Sequence, residues 1–153
     1  MLKVNIIAVG SIKEKYLSDA ISEYLKRLSR FASVSIIEIE EKSVSSDLRL
    51  KKEQEGIAIL KKARGYIIAL DGGGVQLSSV DFSKKIEDIA LSGVSEISFV
   101  IGGSNGHSEQ VLKASDMQLS FGKMTYPHQL FRVMLLEQIY RAFTITAGTP
   151  YHK

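Results

Sequence analysis

The 153-residue chain is long enough for one compact domain, residues 1–153, with a core of its own, and no linker or low-complexity stretch divides it. Because it contains no cysteine, it can form neither disulfides nor thiolate metal sites, which suits a cytoplasmic location. Its 20 basic and 17 acidic residues give a formal net charge of +3 and are mixed along the chain, so charge alone predicts only weak binding to naked RNA.

Strand-like and helix-like segments alternate from the amino terminus onward. The first apolar run, residues 2–9, is too short to span a membrane and includes Lys3 and Asn5, so it predicts a buried strand and no membrane association. Further strands are predicted at 34–39, 66–70, 96–101 and 117–121, and helices at 14–30, 47–64, 80–91, 108–114 and 127–146. This alternation predicts an α/β fold with a mostly parallel sheet flanked by helices.

Two of these helices carry more detailed predictions. Ser78 or Ser79 is expected to cap helix 80–91, because a serine oxygen can accept the unpaired amides of a first turn. In the charged helix 47–64, the apolar residues expected to face inward are Leu50, Ile57 and Leu60. The lysines expected to face outward are Lys51, Lys52, Lys61 and Lys62.

Two apolar strands end in glycine-rich segments, DGGG at residues 71–74 and GGSNG at residues 102–106. Glycine lets a backbone approach a ligand closely, and open parallel sheets bind ligands at the carboxyl ends of their strands. Neither segment has G-x-G-x-x-G spacing or a following Gly-Lys-Ser/Thr, which argues against NAD and ATP. Each segment is therefore either a tight strand-to-helix turn or part of a shared cofactor cleft.

The last helix, residues 127–146, is apolar around most of its circumference, which predicts burial on several sides, one of them against another subunit. Glu137 and Arg141 are four residues apart and can pair on one face, whereas Arg132 lies on a different side. If that face is buried at an interface, the pair would orient another group. His128 lies near the helix amino terminus, where the helix dipole favours a neutral imidazole.

Two other chemistries find little support in the sequence. The three histidines, His107, His128 and His152, lack the spacing of metal ligands, so no metal site is expected. A Ser-His-Asp hydrolase is poorly supported because the chain has no G-x-S-x-G motif.

Four segments of the chain carry a family resemblance: Leu70-Asp71 with the glycines that follow, FVIGGSNG at residues 99–106, MTYPHQLFRVMLLEQIYRA at residues 124–142, and PYHK at the carboxyl end. Together they resemble the RlmH family of SPOUT-class methyltransferases, which use S-adenosylmethionine to methylate N3 of a pseudouridine in 23S ribosomal RNA. The resemblance implies a SPOUT fold with a C-terminal trefoil knot, a homodimer, and assembled ribosomes as the substrate. Another RNA such as tRNA, or a noncatalytic ribosome-binding role, is the alternative.

The resemblance also implies which residues bind the cofactor, through backbone hydrogen bonds and close packing. The expected contacts to S-adenosylmethionine are Leu70, Gly102, Gly103, Gly122, Lys123, Met124, Thr125, Tyr126 and Pro127. S-adenosylmethionine has no phosphate, which agrees with the missing phosphate-binding fingerprint.

The substrate pocket is expected to be composite, with cofactor loops from one subunit and the carboxyl-terminal residues from the other. The residues expected to serve catalysis are Tyr151, His152, Lys153, Glu137, His128 and Arg141. Tyr151 can stack on the target base, and the N3 proton can pass to Glu137, His128, His152 or bulk water. Family members commonly end in Tyr-His-Arg; the Lys153 of this chain keeps the charge but lacks the planar two-pronged donor.

Overall fold

The computed structural model describes residues 1–41 and 47–153, which form a five-stranded sheet and five helices. The strands are β1 (Lys3–Val9), β2 (Ser33–Ile39), β3 (Tyr66–Gln76), β4 (Glu96–Ile101) and β5 (Met117–Ser120). The helices are α1 (Lys15–Leu28), α2 (Leu48–Lys62), α3 (Ser79–Leu91), α4 (Glu109–Ala114) and α5 (His128–Ala147). The strands pair in parallel in the order β2-β1-β4-β3-β5, which confirms the predicted α/β fold.

Helices cover both faces of the sheet. Since successive side chains of a strand point to opposite faces, one strand contributes side chains to the core on each side. In β1, Val4, Ile6 and Ala8 join a core cluster with side chains from α1, α3 and α5. Ile7 and Val9 join a second cluster with side chains from α2 and α4. The central strands are therefore buried on both sides, as parallel sheets usually are.

The orientation predicted for α2 is wrong for two of its apolar residues. Leu50 and Ile57 are 44% and 46% exposed, whereas Gly56 and Ile59 are buried. A Cβ added at Gly56 would overlap with the Ser108 side chain, so α2 lies very close to the start of α4. This close approach, which only a glycine permits, decides which face of α2 is buried.

The other predictions for α2 have mixed outcomes. Leu60 is partly buried and packs against the second core cluster, and Lys61 and Lys62 are exposed, as predicted. The Lys51 side chain is only 14% exposed, because its Nζ lies 3.1 Å from the Glu41 carboxylate. Its predicted outward orientation is therefore wrong.

The interpretation of the first glycine segment as a tight turn is also wrong. Strand β3 runs on through residues 72–74 to Gln76, and its pairing with β5 shifts in register between Leu70 and Val75. At Gly74, a Cβ would lie 2.5 Å from the Gln118 carbonyl carbon of the neighbouring strand. The glycines therefore let β3 bend and continue alongside β5. The second segment is a tight turn, since the Gly106 amide donates to the Gly103 carbonyl at 3.0 Å.

The final helix packs against α1 and α3 on the sheet and ends at Gly148, whose φ of 73° is left-handed. Pro127 precedes its first turn, where a missing amide hydrogen costs nothing. Beyond Gly148 the Thr149 amide donates to the Thr144 carbonyl at 2.9 Å, so the tail turns back toward the helix. The trefoil knot stays a prediction of the resemblance.

Candidate functional site

A cavity of about 150 Å³ lies where β4 and β5 end beside Leu70 of β3. Of the predicted cofactor residues, its wall contains Leu70, Gly102, Gly103, Gly122, Met124 and Tyr126, together with the predicted catalytic residue His128. Asp71, Gly72 and Gly106 of the two glycine-rich segments also line the wall, and the sequence analysis missed further residues: Ile101, Leu119, Ser120, Phe121 and Phe131. Those that lie at a strand end or beside a glycine turn could have been predicted from the sequence, because ligands of open α/β sheets bind at the carboxyl ends of the strands.

The segment from Phe121 to Pro127 connects β5 to α5 and forms one wall of this cavity. It begins with a turn in which Gly122 has a φ of 113°. The Ser120 hydroxyl holds this turn, because it accepts from the Gly122 amide at 3.1 Å and donates to the Gly122 carbonyl at 3.2 Å. Three predicted cofactor residues in the segment, Lys123, Thr125 and Pro127, are exposed and do not line the cavity.

A second cavity, of about 460 Å³, adjoins the first and extends between α3 and α5. The residues shared by the two walls are Leu119, Ser120, Phe121, Gly122 and Tyr126. Phe82 and Met134 add apolar surface to the second cavity, while Glu137 and Gln138 line it from α5. Its volume is within the range of small-molecule sites, and its mainly apolar wall with a few polar groups is typical of them.

The charged side chains that line the two cavities are both carboxylates. Among the described residues that line them, the charged side chains are Asp71 and Glu137, and no lysine or arginine is present. Phosphate groups are usually bound by basic side chains or a helix amino terminus. The described walls lack such a basic side chain, but the amino terminus of α3 at Ser78 and that of α5 at His128 both line them.

Two buried polar side chains, His107 and Glu55, lie next to the second glycine turn, residues 102–106. The His107 ring is buried, and its Nε2–H donates to the Val100 carbonyl at 3.0 Å. Burial lowers the pKa of His107 below its ordinary value, so the ring is neutral. Glu55 of α2 is also buried, and a Cβ added at Gly103 would lie 2.9 Å from its Oε1. Neither residue was predicted to belong to the site; the contact of Glu55 depends on how α2 packs, and that of His107 on how the turn after β4 folds back.

The carboxyl-terminal tail is held against α5 by the side chain of Glu137. The Tyr151 hydroxyl donates to Glu137 Oε2 at 2.6 Å, and Arg141 Nε donates to Oε1 at 2.8 Å. The Tyr151 ring lies edge-on to Tyr140 at 4.9 Å, and the Arg141 guanidinium lies 4.8 Å from its centre. The hydrogen bond to Glu137 raises the pKa of Tyr151 to about 12. The predicted pair of Glu137 and Arg141 is confirmed.

The last two residues are exposed. One ring nitrogen of His152, Nδ1, lies 3.1 Å from Arg141 NH1 and accepts from it, because arginine can only donate. Lys153 has no hydrogen bond or ion pair within residues 1–41 and 47–153. The structure thus brings Glu137, Arg141, Tyr151 and His152 together, while His128 lies at the other end of α5, beside the smaller cavity.

Two further kinds of site were sought in the described parts of the chain. Residues 1–41 and 47–153 contain no cluster of three or more His, Asp or Glu side chains that could hold a metal ion. Within the same residues, no helix combines the length and the apolar character that crossing a bilayer requires.

Comparisons with known proteins place the chain in a family. The family model described as "Predicted SPOUT methyltransferase" matches residues 2–152. A protein of Clostridium botulinum (strain Kyoto / Type A2) named ribosomal RNA large subunit methyltransferase H is 53% identical over 159 residues, covering 99% of this chain and 100% of the relative. Its namesake in Clostridium kluyveri (strain NBRC 12016) is 50% identical over the same lengths.

Two solved structures are similar in fold at low sequence identity. One is a probable methylase family protein from Haemophilus influenzae Rd KW20, with a TM-score of 0.58 and 12% identity over 98% of this chain and 70% of that one. The other is the tRNA (m1G37) methyltransferase from Aquifex aeolicus, with a TM-score of 0.52 and 15% identity over 92% of this chain and 69% of that one. This chain belongs to the SPOUT methyltransferase family and, within it, to the group of proteins named ribosomal RNA large subunit methyltransferase H.

Proposed function

We propose that this protein, as one domain spanning residues 1–153, transfers a methyl group from S-adenosylmethionine to N3 of a pseudouridine in 23S ribosomal RNA on assembled ribosomes. The observation that carries the proposal is 53% identity over the full length of a relative named ribosomal RNA large subunit methyltransferase H. The paired cavities at the carboxyl ends of the strands support it, because ligands of open α/β sheets bind at that edge.

The cavity walls fit the proposed cofactor. Backbone at Gly102, Gly103 and Gly122 leaves part of the wall without side chains, and Leu119 and Phe121 offer apolar surface for an adenine ring. The Asp71 carboxylate in the wall of the smaller cavity suits a ligand that carries a sulfonium cation. When bound, S-adenosylmethionine supplies a methyl group that is already activated for transfer.

The residues of the chain then have two tasks, to align the target base with the methyl group and to let the N3 proton leave. Alignment of two reactants can lower a barrier by several kcal/mol, up to about 7–11 in well-oriented systems. His128 lines the smaller cavity and is exposed, so it is one of the groups that we consider as acceptor of the proton. His152 at the tail, Glu137 and bulk water are the other acceptors that we consider.

We further propose a homodimer in which the tail of one subunit completes the substrate pocket of the other. Support comes from α5, where Leu130 is 39% exposed and Phe131, Val133 and Phe143 are only partly buried. Apolar surface of this kind on an otherwise packed helix is typical of a subunit interface. His152 and Lys153 are exposed on the surface of the described chain, where a neighbouring subunit can contact them.

Methyl transfer to defined RNA substrates tests the proposal. Labelled S-adenosylmethionine would be incubated with the protein and ribosomes that lack the modification, free 23S RNA or tRNA, and the methylated base mapped. We expect transfer to one pseudouridine of the ribosome and little transfer to the free RNAs. Transfer to tRNA instead, or no binding at millimolar S-adenosylmethionine, would contradict the proposal and favour another RNA substrate or a noncatalytic role, respectively.

Removal of residues 151–153 tests the role of the tail. We expect methylation to collapse while the fold and cofactor binding persist, because the deletion leaves α5 and both cavity walls intact. Unchanged turnover by the shortened protein would contradict a composite pocket. Sedimentation of the full-length protein as a monomer would do the same.

A further inference from the structure

One carboxylate connects three segments that are distant in sequence. Glu137 accepts hydrogen bonds from Tyr151 of the tail at 2.6 Å, from Arg141 of α5 at 2.8 Å and from Tyr24 of α1 at 3.4 Å. Its side chain is only 20% exposed. A carboxylate has about four positions that can accept a hydrogen bond, and most of those on Glu137 already have donors.

The ring of Tyr151 also packs against two side chains of its own chain. Tyr140 approaches it edge-on, with ring centres 4.9 Å apart, and Arg141 lies 4.8 Å from its centre. Aromatic and cation–π contacts of this geometry stabilise the position of the ring. For Tyr151 to stack on an RNA base, these contacts and the hydrogen bond to Glu137 would have to be broken first.

The backbone of the tail is prepared for the same arrangement. Gly148 turns the chain with a left-handed φ of 73°, and the Thr149 amide donates to the Thr144 carbonyl. Pro150 then fixes one backbone angle just before Tyr151. These features direct the Tyr151 hydroxyl back to a carboxylate fourteen residues earlier in the sequence.

We propose that Glu137 is a positioning residue, which fixes the tail through Tyr151 so that His152 and Lys153 are the residues presented to the substrate. This inference deepens the proposed function and rests on it. It assigns Tyr151 to the anchor of the tail rather than to stacking on the base. It also removes Glu137 from the groups that accept the N3 proton, although Glu137 lines the larger cavity.

The anchor can be tested without any methylation assay. Carboxypeptidase Y would digest the full-length protein, and the released Tyr151 would be measured by mass spectrometry together with His152 and Lys153. The test variant is Glu137→Gln. In the unchanged protein Oε1 accepts from Arg141 and Oε2 from Tyr151, whereas glutamine has only one acceptor oxygen for these two donors. The matched control is Glu53→Gln on α2, an exposed glutamate whose Oε1 accepts from Arg49 Nε at 3.2 Å.

We expect Glu137→Gln to release Tyr151 about 10- to 100-fold faster than the unchanged protein, the range for loss of a hydrogen bond to a charged group. Glu53→Gln should release it at the unchanged rate. Equal release by all three proteins would overturn the anchor, whether or not the protein methylates RNA. Failure of methylation in the unchanged protein, with this difference intact, would instead contradict the proposed function.

The catalytic consequence is tested with Tyr151→Phe, which removes only one hydroxyl and keeps the ring. Since misplacement of a reacting group by about 1 Å can lower a rate a hundredfold, we expect Tyr151→Phe and Glu137→Gln each to lower kcat on ribosomes by about 10- to 100-fold. Cofactor affinity should be unchanged in Tyr151→Phe, and the shape of the pH–rate profile should be unchanged in both variants. The double variant should be no slower than the more affected single variant.

Two results would contradict a positioning role. A pH–rate profile that loses its acidic limb in Glu137→Gln but not in Tyr151→Phe would identify Glu137 as the proton acceptor. A further large loss of kcat on adding Glu137→Gln to Tyr151→Phe would show that Glu137 acts independently of the tail.

Discussion

Arg132 is the largest side chain of α5 to be fully buried, with 2% of its surface exposed. Its NH1 donates to Glu38 Oε2 of β2 at 2.7 Å, and its NH2 donates to the Gly10 carbonyl just after β1 at 3.2 Å. The guanidinium therefore joins the last helix to the carboxyl ends of two strands. We expect Arg132→Met, which keeps the length of the side chain but not its donors, to destabilise the fold.

The size of the effect follows from the two lost hydrogen bonds. The bond to the Glu38 carboxylate is worth about 1.5–3 kcal/mol and the bond to the Gly10 carbonyl about 1 kcal/mol. Loss of a partner from a fully buried ion pair costs about 3–5 kcal/mol, but the Glu38 side chain is 43% exposed and can be rehydrated. Since methionine also avoids the desolvation of a charge, we expect a net loss of about 2–3 kcal/mol.

Urea unfolding followed by circular dichroism measures this loss. With a slope of about 2 kcal/mol/M for a small domain, the midpoint of Arg132→Met should fall by about 1–1.5 M. Arg132→Lys should lose less, because its single nitrogen keeps the charge but cannot serve both acceptors. Arg49→Met, at an ion pair whose arginine is 87% exposed, should stay within about 0.5 kcal/mol of the unchanged protein. A loss below about 0.5 kcal/mol for Arg132→Met would refute the reasoning.

Three further predictions concern pH and the glycine turn. Burial lowers the pKa of His107 in the native state, so below about pH 6.5 the unfolded state binds more protons than the native state. The free energy of unfolding should therefore decrease as the pH falls below that value. In acid unfolding, His107→Gln should lack this decrease. The hydrogen bond to Glu137 raises the pKa of Tyr151 to about 12. This hydrogen bond should stabilise the fold by about 1 kcal/mol after solvent screening below pH 10, and the stabilisation should be lost between pH 10 and 12. In alkaline unfolding, Tyr151→Phe should lack this loss. Gly102→Ala should destabilise the fold by about 1–3 kcal/mol and weaken S-adenosylmethionine binding in calorimetry, because the added Cβ would lie 2.9 Å from backbone of the same turn. Gly72→Ala should leave stability unchanged, because the space around its Cβ is open.

Local patterns were sufficient to predict the order and type of the elements. Each predicted strand and helix exists, and all but β3, which runs six residues past its expected end, lie within about two residues of their predicted bounds, because hydrophobic period and capping residues act over single turns. Ser78, for example, accepts from the Asp81 amide at 3.0 Å and begins α3 as predicted. The family motifs assigned to a site seven of the residues that line the smaller cavity, which the glycine spacing alone left open.

Features that depend on contacts between distant elements could not be predicted in the same way. The extension of β3 through its glycines requires β5 alongside it, some forty residues later, and the buried face of α2 is set by Gly56 against Ser108. In both cases glycine allows a close approach that no apolar periodicity records. The sequence indicates that a glycine is unusual at such a place, but the partner becomes visible only in the folded chain.

The tail shows how such a contact changes the interpretation of a motif. From the sequence, Glu137 and Arg141 form an ordinary pair on a helix, and Tyr151 belongs to a chain end that would be expected to fray. Because Gly148 reverses the chain, Tyr151 instead shares the Glu137 carboxylate with Tyr24 of α1. The position of the last residues therefore depends on how α1 packs against α5. A substitution in α1 that repacks this contact should move the tail and slow catalysis without touching either cavity wall.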